Sequence, residues 1–255
     1  PRTLAALHGG ALAQAMQTIR AELKFLYVVN FSNTKNMIDA MRSGKLPTNL
    51  VFSLSALYLH DDEIDGLRYF RLDDDGAIRY LEDDDVAKAG DPLTAPADRR
   101  NRIFANAELR FHHKGSTRPQ VYRHIQVNLD NDHLKKDPRV LRYLEAKGDV
   151  VAMTKAASYL LSWESFSTMR GYLLGHMQWM VSDATGIAPK WGRPAGFEYE
   201  TYGAFTAAHL DVGKSISGEW RKEWEAEPSR PIPFRFGYPD RKHQNHMVIV
   251  RKQRS

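Results

Sequence analysis

The sequence predicts a mixed α/β fold of the α+β kind: a central sheet, largely antiparallel or mixed, made of hairpins and packed by several helices. Three observations carry this. Two stretches alternate apolar and polar residues on either side of turn-forming segments, which is the period of half-buried strands. Other stretches repeat apolar residues every three or four positions, the period of amphipathic helices. The chain is 255 residues long and 42% hydrophobic, enough to bury a sizeable core.

Leu12, Met16, Ile19, Leu23 and Leu26 make one apolar stripe, predicting a helix over residues 12–26. A second helix is expected from Asn33, with Asn33 or Thr34 as its cap and Gly44 past its end. Residues 50–59 are apolar enough to be helix or strand. "LRYFRLDDDGAIRYL" reads as a hairpin turning at Asp75-Gly76, a dipeptide that tolerates positive φ. Residues 82–102 are acidic and carry Pro92 and Pro96, so they are expected as an exposed loop. A second hairpin joins "NAELRFHH" to "QVYRHIQVNL" across "KGSTRP". Pro138 should open a helix to about Glu145, capped by Asp137 and followed by Gly148. Helices are expected over 154–161 and 165–181, a strand at "FEYETYGAF", a helix around Trp220, and strands at "PFRFGY" and "HMVIV". No repeat and no linker poor in hydrophobic residues divides the chain, which reads as one domain over 1–255.

Composition excludes several classes. Without cysteine there is no disulfide, thiolate metal site or cysteine nucleophile. No apolar run reaches the roughly 20 residues of a membrane-spanning helix. The net charge of +5 is unevenly spread: residues 60–98 hold 13 acidic against four basic residues, leaving the remainder strongly basic. Such polarity favours adhesion of the basic remainder to a polyanion, whether nucleic acid, an anionic envelope polymer or lipid headgroups, and of these nucleic acid is the partner least expected. The sequence assigns no cofactor and no metal: His112 and His113 point to opposite faces of a strand, and "DRKHQNH", with Asp240, His243 and His246, lacks the helical spacing of a zinc hydrolase. "LDDDGAIRYLE" fails as a calcium loop because Arg71 occupies its first ligand position. "LHGGAL" lacks the lysine and spacing of a phosphate-binding loop.

Three constellations remain as candidate sites. Lys155 and Ser158 share a face if "TKAASYLL" is helical, and a desolvated lysine can serve as base to a serine nucleophile. No oxyanion-hole signature accompanies them, so a snorkelling lysine and a packed serine explain the same residues. The strand over 120–129 sends Tyr122, His124, Gln126 and Asn128 to one side, with Asp130 just beyond. Glu108, Arg110 and His112 share a face of its hairpin partner, so two polar faces are expected to meet. "SDATGIAPKW" gathers Asp183, Thr185 and Gly186 where a helix should end, with Pro189 forcing an extended segment, and these polar groups beside Trp191 and Tyr202 are expected as the rim of a recognition loop. Trp220 and Trp224, one helical turn apart, are expected to anchor their helix to the core.

The blocks "FSNTKNM", "VYRHIQVNLDN", "TKAASYLL", "FSTMRGYLL", "SDATGIAPKW", "YGAF" and "PFRFGY", in this order, resemble a family of uncharacterised bacterial proteins, many predicted to be exported or lipid-anchored. The likeness covers about residues 12–250. Longer members carry an upstream Tyr-Pro-Phe-Ser-Gly-Pro-Asp segment, then a hydrophobic strand ending in Leu-Glu-Pro. Neither is present here, so the chain is expected to lack N-terminal strands and a lipid anchor if those belong to the same protein. The family turn Gly-Ile-Pro is here Gly186-Ile187-Ala188-Pro189. The resemblance implies a periplasmic or cell-envelope location, a cytoplasmic one being the alternative, and no known activity. It makes Asn128, Asp130, Lys155, Ser158, Asp183, Gly186 and Tyr202 candidates by position.

The expectation is a bacterial envelope lipoprotein or periplasmic protein that binds a protein partner or an anionic polymer. One alternative is a hydrolase or transferase using Ser158, Lys155 and Asp183, with His124, Asn128, Asp130, Thr185, Trp191 and Tyr202 about the ligand. A second is a Rossmann-like transferase whose cofactor loop lies upstream.

Overall fold

The structure, a computed structural model, describes residues 48–88, 103–154, 159–184, 186–205, 213–228, 230–234 and 246–253. The helices expected over 12–26 and from Asn33 lie outside these residues, as do Lys155, Ser158, Thr185, Asp240 and His243. The protein is mixed α/β, with helices and largely antiparallel sheets. Its contacts divide it into two compact units, Pro1–Val127 and Asn128–Ser255, and each holds a four-stranded sheet. No linker marks that division in the sequence.

In the first unit, the ambiguous apolar run is helix α1, Thr48–Leu59. Strands β1 (Asp62–Leu72) and β2 (Ile78–Tyr80) form the first hairpin. Its turn is longer than two residues: Gly76 N donates to Asp73 O at 2.8 Å and Asp73 N to Ala77 O at 2.9 Å, and only Gly76 takes positive φ. This is a type I turn closed by a left-handed glycine, so Asp75 needs no strained backbone. The acidic stretch is not all loop. Asp83–Lys88 forms helix α2, with Asp83, Asp84 and Asp85 in the first turn, where carboxylates face the positive end of the helix dipole. Strands β3 (Ala107–His113) and β4 (Gln120–His124) make the second hairpin, which stops five residues short of Leu129. The antiparallel sheet runs β2-β1-β3-β4. A bulge at Asp65 interrupts the β1–β3 register between Ile64 and Gly66, and its carboxylate meets His112 Nδ1 at 2.9 Å. Leu57 of α1 packs on Leu109, while Phe70, on the opposite face, is also fully buried.

The second unit opens with helix α3 (Asn131–Lys136), which the sequence reading missed, and α4 (Arg139–Glu145). Pro138 occupies the cap of α4, while Asp137 closes α3 and grips Arg139 Nε at 2.7 Å. Gly148 follows at φ 67°, a left-handed position suited to glycine. Two expected helices are corrected. Residues 150–154 are strand β5 (Val150–Thr154), and Tyr159–Ser162 is a 3₁₀ turn. The long helix over 165–181 is helix α5 (Ser167–His176) followed directly by strand β6 (Met177–Ser182). Met177 turns to ψ 136°, so the chain passes from helix to strand without a loop.

A four-residue helix α6 (Pro189–Gly192), strand β7 (Phe197–Gly203), helix α7 (Gly213–Glu225) and strand β8 (His246–Lys252) complete the unit. "PFRFGY" is bent at Pro233 and Phe234, and its remainder lies outside the described residues. The sheet order is β5-β6-β8-β7, with β5 and β6 parallel across the α5 crossover and the other pairs antiparallel. Met177, Met180, Phe197, Val248 and Val250 of the sheet pack with Leu173 of α5 and with Trp220 and Trp224 of α7. Both tryptophans anchor α7 as expected, Trp220 edge-on to Tyr199 at 5.9 Å.

Candidate functional site

Strands of a parallel pair carry their ligands beyond their carboxyl ends, because crossover connections leave a crevice there. In the second unit that end is the turn after β6. Ser182, Asp183, Ala184, Gly186, Ile187, Ala188 and Pro189 are all buried, which is unusual for a connection and demands that its polar atoms find partners inside. The turn closes through Gly186 N donating to Asp183 O at 3.1 Å. A side chain at Gly186 has no room: a Cβ would lie 2.2 Å from Ser182 Oγ. Tyr199 Oη donates to Ile187 O at 3.0 Å and ties the turn to β7. Burial, with the nearby Glu223 charge, pushes the Tyr199 hydroxyl pKa up, so it stays a donor. Gly192 gives that phenol space, since a Cβ there would come within 1.8 Å of Tyr199 Oη.

Ala188 is extended at ψ 149°, as the residue before a proline should be, and Pro189 then starts α6 in place of the extended segment expected. The short helix presents Lys190 and Trp191. Trp191 is half-buried, with the Lys190 ammonium 4.2 Å and the Arg170 guanidinium 3.9 Å from its ring centroid. Arg170, on α5, is 5% exposed and donates to Leu161 O (3.0 Å), Trp163 O (3.2 Å) and both oxygens of Glu164 (3.2 Å). Lys190 N donates to Glu219 Oε2 at 3.2 Å, and Arg193 forms a two-bonded ion pair with Glu223 at 2.9 and 2.6 Å. The turn is thus braced against both α5 and α7.

Of the residues singled out in the sequence, Asp183, Gly186, Pro189 and Trp191 stand at this turn. Asp183 is 3% exposed and engaged in bonding. Tyr202 points away from the face used by Tyr199: its hydroxyl donates to Glu200, while its carbonyl accepts Trp224 Nε1 at 3.2 Å. Asn128 and Asp130 serve the backbone. Asn128 Oδ1 accepts from Asp130 N at 3.1 Å, and Asp130 caps α3 by accepting from His133 N at 2.8 Å. That backbone bond holds the Asp130 carboxyl below its usual range.

The two polar faces of the second hairpin do not meet. The register pairs Leu109 with Tyr122 and Ala107 with His124, so Tyr122 and His124 lie on the apolar face, and Arg123 faces Glu108 instead. His124 is half-buried there, and desolvation depresses its imidazole pKa. Among the described residues no three His, Asp or Glu side chains gather as metal ligands, and His246 stacks edge-on against Trp224 at 5.5 Å.

Sequence reasoning missed Arg170, Ser182 and Tyr199. An isolated arginine within "FSTMRGYLL" carries no signal of the carbonyls it will meet. Ser182 Oγ is buried without a hydrogen-bond partner, a cost of about 1–3 kcal/mol that only the folded turn reveals. Chemically the turn offers a buried carboxylate, an orphan hydroxyl and an indole bearing two cations. Comparison of the chain with protein-family models, with curated proteins and with solved structures finds no match.

Proposed function

We propose that the chain is a binding component of the bacterial cell envelope that engages an anionic polymer or a protein partner through the turn after β6. The supporting observation is the Trp191 indole flanked by the Arg170 and Lys190 cations. A ring that carries cations offers stacking area and positive charge together, and Lys190 is exposed. The basic balance outside residues 60–98 and the block-by-block resemblance to exported proteins favour the same reading. Dextran sulfate serves as the probe polymer. Saturable, salt-sensitive binding that leaves the polymer's length unchanged supports the proposal, and polymer cleavage contradicts it.

A hydrolase or transferase employing Ser158, Lys155 and Asp183 is the second reading. The observation favouring it is the buried Asp183 carboxylate at the carboxyl end of a parallel strand. A fluorophosphonate adduct on Ser158 would support it, and its absence from fully folded protein would discard it.

A further inference from the structure

Arg170 is a buried cation whose counter-ion stands in water. Its side chain is 6% exposed, and that of Glu164 is 81% exposed. Burying a guanidinium is costly unless both its charge and its N–H groups are met. Its central carbon lies 3.9 Å from the Trp191 ring centroid, and Nη1 donates to Leu161 O at 3.0 Å and to Trp163 O at 3.2 Å. These contacts fix the group in place without neutralising it. The carboxylate that meets the charge is Glu164, both of whose oxygens accept from Nη2 at 3.2 Å.

That ion pair is firm on one side and loose on the other. Both contacts run to a single nitrogen instead of the paired donors of the guanidinium fork, and they are longer than the roughly 2.7–2.9 Å of a tight charge-assisted bond. A carboxylate so exposed is held weakly, because water competes for it. The main chain of Glu164, by contrast, is anchored. Its carbonyl accepts from Asn131 Nδ2 at 2.8 Å, and the same amide donates to Ser167 Oγ at 2.9 Å and accepts from Thr168 N at 3.0 Å, joining the 3₁₀ turn Glu164–Phe166 to the start of α5. The carboxylate can therefore leave Arg170 by rotation of its own side chain, with the turn undisturbed. The space it gives up faces solvent and a donor already fixed by burial, which is the arrangement that binds an incoming anion at least cost.

We propose that the Glu164 carboxylate occupies an oxyanion subsite: a carboxylate, sulfate or phosphate group of the ligand displaces it from Arg170 Nη2, and Glu164 controls entry by competing for that donor. The inference rests on the Trp191 reading and deepens it. In the free protein the Arg170 charge is matched, so it is offered to a ligand only when Glu164 swings away. Exposed Lys190, on the same indole, supplies the initial attraction.

The test titrates the full chain, Glu164→Gln and Glu198→Gln with dextran sulfate and separately with sodium sulfate, at constant ionic strength maintained by chloride. Glu198 neighbours Tyr199 on β7 and so lies on the opposite face of the sheet, which makes its variant a control for the loss of one negative charge. Glu164→Gln should bind dextran sulfate about fivefold more tightly than the parent, the release of one exposed ion pair, and Glu198→Gln less than about twofold more tightly. In the parent, the Glu164 carboxyl carbon and the Arg170 Nε–Hε resonance should shift together in NMR spectra and saturate with the polymer; this readout needs no variant to fold. Saturable shifts with free sulfate as well assign the subsite to any small oxyanion, and shifts with dextran sulfate alone assign it to the polymer. Polymer binding by the parent with an unmoved Glu164 resonance, or equal affinities of Glu164→Gln and Glu198→Gln, overturns the subsite and leaves the Trp191 reading standing. Failure of both the parent and Glu164→Gln to bind dextran sulfate overturns the two together.

Discussion

Replacing Gly186 by alanine probes the turn after β6 directly. The added methyl would sit 2.2 Å from Ser182 Oγ, 2.9 Å from Ser182 Cβ and 3.4 Å from Met180 Sδ. The first two contacts are far inside van der Waals range, and Ser182 and Met180 are both fully buried, so neither can swing into solvent. Overpacking of this kind costs about 1–3 kcal/mol. Ser182→Ala removes an orphan hydroxyl and should be neutral or slightly stabilising. In the double variant the closest clash disappears while the Cβ contact remains, so the two effects should be coupled by about 1 kcal/mol. Urea unfolding followed by tryptophan fluorescence is the assay, because Trp163, Trp179, Trp191, Trp220 and Trp224 are all the tryptophans of the chain and all belong to the second unit. A Gly186→Ala variant within about 0.5 kcal/mol of the parent, or strictly additive effects, would refute the packing described.

Three further outcomes are expected. Tyr199→Phe loses the bond to Ile187 O and should lower the stability of the second unit by about 1 kcal/mol in the same fluorescence assay. The Arg139 guanidinium holds the Asp137 carboxyl at about 2, against an ordinary 3.8. Its contribution to stability is therefore complete above pH 3.8 and is lost as the pH falls toward about 2, and Asp137→Asn should remove that part of the acid-unfolding curve. Glu108→Ala removes the acceptor shared by Tyr80, Arg110 and Arg123 and should cost the first unit about 1–3 kcal/mol, measured by hydrogen exchange of the β1 and β3 amides; a loss below about 0.5 kcal/mol would contradict the network.

Both hairpins were legible because alternation is a local signal: each strand shows its own two faces. Which faces meet is not local. The residues linking β3 to β4 bring Phe111 opposite Gln120, and a shift of one residue would exchange every neighbour, so the Glu108–Arg123 pair stays hidden in either strand alone. The parallel pair β5–β6 misled for a different reason. Short apolar strands lack alternation and resemble buried helix, and "GYLLGHMQWMV" passes from α5 into β6 without a turn residue. The turn itself was visible through Asp183, Gly186 and Pro189. Its tyrosine was not: Tyr199 and Tyr202 are an odd number of residues apart on β7, hence on opposite faces, and the choice depends on which face meets α7. Arg170 binds carbonyls seven and nine residues earlier, contacts that exist only once the 3₁₀ turns have formed.

The most direct measurement of the binding proposal compares the parent chain with Trp191→Leu/Lys190→Ala for saturable attachment to dextran sulfate at low and physiological salt, alongside urea unfolding of each. The account predicts affinity about tenfold lower in the double variant with little change in unfolding midpoint. Equal affinity in the two proteins would contradict it.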